Sequence, residues 1–150
     1  MSFELIPFKA WHIRLMNLRP WERKLYDPNK EYFLAAAEYA ADRGTCFTGV
    51  CDEGIIGSGG IVPLFGTTHE VFVYATDLFP KYAKSIHSLA KKFLDVYFQL
   101  PTVDRIQAFI DSEHITAVLW AERLGFEYEG ELRNYGKKGQ DFLAYSKVKN

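Results

Sequence analysis

The stretch from residue 69 to residue 110 constrains the fold of this chain more than any other. A β-rich run, His69 to Thr76, leads into Pro80 to Phe98, where Ile86, Leu89, Ala90, Phe93 and Leu94 share one face at helical spacing. A short strand-like run, Arg105 to Ile110, follows. A long amphipathic helix between two strands has to lay its apolar face on a sheet. A mixed sheet with helices on its faces is the natural way to bury it.

The flanking segments extend that pattern. Phe3 to Phe8 reads as a first strand, and Ala10 to Leu18 has helical character that stops before Pro20. Asp27-Pro28-Asn29 reads as a turn, with Asn29 as N-cap of a helix from Lys30 to Arg43 that Gly44 ends. Thr45 to Cys51 and Ile55 to Leu64 flank Asp52-Glu53-Gly54, a hairpin signal. Beyond Ile110, His114 to Leu124 is predicted helical and closed by Gly125. Phe126 to Leu132 and Asp141 to Val148 pair across a loop. The expected order is β-α-α-β-β-β-α-β-α-β-β.

Composition narrows the class. At 150 residues, with 48% hydrophobic and 16% aromatic side chains, the chain is expected to form one domain, residues 1–150. A net charge of −1 argues against a generic nucleic-acid or membrane-surface binder. Cys46 and Cys51 fall on opposite faces of one strand, so no bridge between them is expected. Free thiols, no signal-peptide layout and no apolar run long enough to span a bilayer point to the cytoplasm. The four histidines lack metal-ligand spacing, and no metal is expected. Gly57-Ser58-Gly59-Gly60 lies within a strand signal and reads as a bulge or a close backbone approach rather than a phosphate loop.

Three local patterns resemble the GNAT acyltransferases. Gly49 to Gly57 is similar to their second-to-third-strand hairpin. His114 to Phe126, ending Arg123-Leu124-Gly125-Phe126, is similar to their late helix. Glu129-Gly130-Glu131-Leu132-Arg133, with Gly139, Asp141 and Tyr145, resembles the final hairpin of the ribosomal-protein N-acetyltransferase branch. Trp120 before Ala121 is also similar to GNAT-like proteins of tailed bacteriophages. The resemblance implies an α/β fold: a mixed central sheet flanked by helices, whose parallel fourth and fifth strands splay apart.

It also implies a site. The cleft for acetyl-CoA, the acyl donor, would lie between Val71–Thr76 and Arg105–Ile110. Main-chain groups near Tyr74, Ala75 and Thr76 would meet the pantetheine arm. The pyrophosphate would sit on N–H groups opening the next helix. There the family's glycine-rich motif falls on Tyr82 to His87, with Ser85 and His87 in place of small residues; Lys81, Lys84 and Ser85 would compensate. His114 takes the place of an asparagine that contacts the cofactor arm. The family's late-helix tyrosine is replaced by Ala121, so Glu70 is the candidate base and Tyr74 or Ser112 the candidate acid.

Two functions follow. One is an acyl-CoA-dependent N-acyltransferase acting on an amine of a small molecule, protein or peptide. The other is a catalytically degenerate GNAT-fold structural or interaction protein with a protein assembly partner, placed in a phage virion or in the host cytoplasm. The degenerate phosphate motif favours the second.

Overall fold

The computed structural model describes residues 2–25 and 31–150, so the expected turn at Asp27-Pro28-Asn29 lies outside the described residues. The elements are β1 (Glu4–Pro7), a 3-10 helix (Ala10–Leu15), α1 (Pro20–Leu25), α2 (Glu31–Arg43), β2 (Thr45–Cys51), β3 (Gly54–Phe65), β4 (Thr68–Ala75), α3 (Phe79–Tyr97), β5 (Arg105–Asp111), α4 (Ile115–Arg123), β6 (Glu127–Leu132) and β7 (Phe142–Val148). The expected helix over Ala10–Leu18 is instead a 3-10 turn, and a separate helix starts at Pro20. Proline ends a helix that arrives from its N-terminal side. At the first helical position, however, its missing N–H costs nothing.

One seven-stranded sheet has the order β1-β2-β3-β4-β5-β7-β6. The β1–β2, β2–β3, β5–β7 and β6–β7 ladders are antiparallel, whereas β4–β5 is parallel. The parallel ladder is confined to Thr68–Glu70 against Arg105–Gln107, although β4 runs on to Ala75 and β5 to Asp111. The described residues cluster into two compact units, one from Met1–Val62 and Val71–Ala83, the other from Pro63–Glu70 and Lys84–Asn150.

In the first unit α2 lays Phe33, Ala37 and Ala40 against Phe8, Ile13, Cys46 and Val62. The Cys46 thiol is buried among these groups and faces the carbonyls of Ala40 and Ile61; burial pushes its pKa up to about 12. A buried polar chain crosses the same unit. Ser58 Oγ lies 2.7 Å from Thr48 Oγ1, which lies 2.8 Å from His12 Nδ1. The Lys9 amide also donates to that nitrogen, at 3.1 Å, so Nδ1 is the acceptor and His12 is neutral. Burial, with the Lys9 charge second, lowers the His12 pKa. The glycine run is used for packing. A Cβ on Gly57 would stand 2.5 Å from the Tyr74 carbonyl oxygen, and one on Gly59 3.0 Å from that of Phe72.

In the second unit β5 is an inner strand, with Ile106 fully buried, and α4 rests on it. Gly125 ends α4 with φ 94°, and the chain reverses through Gly125 N–H to Glu122 O and Phe126 N–H to Ala121 O, both 3.0 Å. That turn sets Phe126 into the core at the start of β6.

Candidate active site

Glu70 closes the parallel ladder. It is the last residue of β4 paired with β5, opposite Gln107. Gln107 Nε2 donates to Glu70 Oε1 at 3.1 Å. Burial raises the carboxyl pKa, and the Gln107 bond offsets part of that rise. The result is a partly buried carboxylate of increased proton affinity, fixed in orientation.

Further along the second unit, Asp111 ends β5 almost fully buried, at 2% exposure. Its Oδ1 accepts from the Glu113 amide at 3.0 Å, while Oδ2 has no protein partner. Ser112 is half-buried, and its own amide donates to Asp141 O at 2.9 Å. It therefore belongs to the junction with β7. The N-cap of α4 is His114, without a side-chain capping bond. His87 points toward α4, where its Nδ1 accepts from Trp120 Nε1 at 3.0 Å. An imidazole held there has a packing partner of its own.

The first unit bears on two expectations. Ala75 and Thr76 were expected to offer main-chain groups to a pantetheine arm. Instead the Thr76 amide donates to Ile56 O at 3.1 Å and the Ala75 carbonyl accepts from the Arg19 amide at 3.2 Å. The Thr76 hydroxyl is bonded to the carbonyls of Ile55 and Ile56. These groups tie the end of β4 to β3 and to the segment before α1. Second, the motif aligned on Tyr82 to His87 begins three residues inside α3, which starts at Phe79, one residue before the expected Pro80.

The true opening is internally satisfied. Leu78 N–H reaches Thr76 Oγ1 at 3.3 Å, Phe79 N–H reaches Thr76 O at 3.0 Å, and Lys81 N–H reaches Leu78 O at 3.2 Å. Pro80 has no N–H. The main chain here does not fit a pyrophosphate. Side chains are what the segment offers: Lys84 and Ser85 are exposed on α3, whereas Lys81 is held by Glu53 at 3.0 and 3.1 Å. Tyr82 is buried against Phe3 and bonds Cys51. Tyr74 is 5% exposed, its ring packed with Phe8, Phe33 and Phe72.

Sequence reasoning missed Gln107 and Arg105. Arg105 Nε donates to Gln107 Oε1 at 2.9 Å, and the guanidinium grips Glu129 through both terminal nitrogens. The available signal was two polar residues at alternate positions before the apolar run Ala108 to Ile110, hence on one face of the strand.

No family model matches the sequence, and no curated protein matches it either. Solved structures do match. An acetyltransferase of the GNAT family from Bacillus anthracis is 17% identical with a TM-score of 0.65, over 99% of this chain and 95% of that one. The ribosomal-protein-alanine N-acetyltransferase of Brucella melitensis is 15% identical with a TM-score of 0.70, over 99% and 100%. A variant of the spermidine N-acetyltransferase of Vibrio cholerae is 17% identical with a TM-score of 0.66, over 97% and 93%. Likeness at this level of identity speaks for architecture: the chain has the GNAT acetyltransferase fold.

Proposed function

We propose that the protein is an N-acyltransferase that moves an acyl group from an acyl-CoA thioester to an amine, with Glu70 as the base. The observation that carries this reading is the oriented, partly buried Glu70 carboxylate at the end of the parallel ladder. The amine nitrogen attacks the thioester carbonyl, the C–N bond forms and the C–S bond breaks. The amine proton passes to Glu70, directly or through water. A base whose pKa is raised by burial suits that task near neutral pH. The departing thiolate takes a proton from a hydroxyl. Half-buried Ser112 is better suited than Tyr74, whose ring is almost wholly enclosed. Lys84 and Ser85 on α3 and His114 at the start of α4 are the proposed donor contacts.

The related structures act, by their names, on a ribosomal-protein alanine and on spermidine. The proposed acceptor is accordingly an amine of a protein, peptide or polyamine. Acetyl-CoA consumption with peptide and polyamine acceptors tests the assignment. Glu70→Gln should lower turnover by about 10²–10⁴-fold while leaving acetyl-CoA affinity unchanged.

One observation favours a second reading. The amides of Thr76, Leu78, Phe79 and Lys81 are all engaged within the protein, and Lys81 is ion-paired. A chain with its phosphate-binding groups closed in this way suits a GNAT-fold interaction protein, the role that the phage-protein resemblance implies. Absence of calorimetric binding at millimolar acetyl-CoA would establish that reading over the first.

A further inference from the structure

We infer that Arg105 is a positioning residue for Glu70, acting through the Gln107 side chain. This rests on the reading of Glu70 as the base. An amide side chain can turn over about its last torsion, exchanging its donor and acceptor ends. Glu70, when ionised, only accepts, so Gln107 stabilises the carboxylate in one of its two orientations alone. Arginine only donates. With Arg105 Nε aimed at Gln107 Oε1 at 2.9 Å, the amide nitrogen is left facing Glu70 Oε1 at 3.1 Å. The inverted amide would set N–H against N–H on one side and oxygen against carboxylate on the other.

Arg105 is itself anchored. Its two terminal nitrogens hold the two oxygens of Glu129 on β6, and Nε remains for Gln107. In the chain Glu129–Arg105–Gln107–Glu70, Arg105 donates both to Glu129 on β6, across β7, and to Gln107 on its own strand, and Gln107 donates to Glu70 on β4. Among the described residues, the groups bearing on Glu70 are Gln107, with Arg105 and Glu129 behind it. Its neighbour on β4, His69, has its ring nitrogens engaged by Tyr97 and by the Thr102 carbonyl.

Arg105→Lys isolates the effect. Lysine places a methylene where arginine has Nε–H, yet keeps the charge that pairs with Glu129. The Glu70 carboxyl is titrated by carbon-detected NMR in the apo protein, a readout that needs no catalysis. Gln107→Leu should raise the Glu70 pKa by about one unit, because the bond donated to the carboxylate is lost. Arg105→Lys should raise it by a smaller, measurable amount, because the Gln107 amide can still donate but is no longer held in the donating orientation. In the Gln107→Leu background, Arg105→Lys should add nothing, and the acid limb of kcat/KM should move with the NMR value in each variant. An unmoved titration in Arg105→Lys overturns the inference, as does an equal shift in the two backgrounds. If the shifts occur in a protein without transferase activity, the network stands and Glu70 as catalytic base falls.

Discussion

Substituting Gly57 by alanine tests how closely β3 and β4 are held. The added Cβ would lie 2.5 Å from the Tyr74 carbonyl oxygen and 3.3 Å from Ala75 Cα, short of the 3.4 Å where ordinary contact begins by about 0.9 Å for the first. Both obstacles are backbone atoms, so no side chain can turn aside, and one strand has to shift. Overpacking of this kind costs about 1–3 kcal/mol. Gly57 has no left-handed φ, so alanine also recovers about 0.4–1 kcal/mol through the unfolded chain. The net loss is about 1–2 kcal/mol, which for a domain of this size lowers Tm by roughly 2–8 °C. Gly130, also in a strand, has nothing within 4 Å of its would-be Cβ and no positive φ. Gly130→Ala should therefore leave Tm level or slightly raised. Thermal unfolding followed by circular dichroism measures both. A Gly57→Ala protein melting at or above the parent would refute the argument.

Other outcomes follow from the same geometry. Glu70→Gln should abolish most turnover and spare acetyl-CoA affinity, as comparison of steady-state rates with calorimetry will show. His12 has a folded pKa below its unfolded value of 6.5, so its contribution to stability is complete above pH 6.5. It is lost as the pH falls from there toward the lowered folded value, because the unfolded chain binds the proton more readily. Urea midpoints at pH 7.5 and 5.5 should differ in the parent, and His12→Gln should remove that part of the difference. Glu53→Gln releases Lys81 from an exposed pair, so inorganic pyrophosphate should bind about 2–5-fold tighter at low salt, with the gain gone in 0.5 M salt.

Much of the architecture was legible because it rests on periodicity and punctuation. The Asp52-Glu53-Gly54 hairpin, the long helix and the Gly125-Phe126 reversal each have a local signature, and β2 was placed residue for residue at Thr45–Cys51. The start of α3 was legible to within one residue, Pro80 against the observed Phe79, but the way its opening is satisfied was not. Thr76, which collects the amides of Leu78 and Phe79, reads in sequence as the end of a strand, and its carbonyl and hydroxyl take on the opening of the helix as well. Pro20 was read as a stop when it is a start, since the two uses look alike until the direction of the chain around them is known. At the candidate site, Glu70 stood out as a carboxylate in a strand. Its partner Gln107 lies 37 positions away, and only strand pairing brings the two together.

The two cysteines differ in a way that serves the experimenter. Cys46 is enclosed and its thiol holds its proton to a pKa of about 12, so it supplies almost no thiolate at neutral pH. Cys51 is half-buried at the end of β2, bonded to Tyr82 on α3. A native sample should thus take up a single equivalent of a maleimide dye, and the second only on unfolding. No cysteine-free background would have to be engineered first. The attached fluorophore would stand beside the opening of α3, where a change in its emission on adding acyl-CoA gives a direct optical titration.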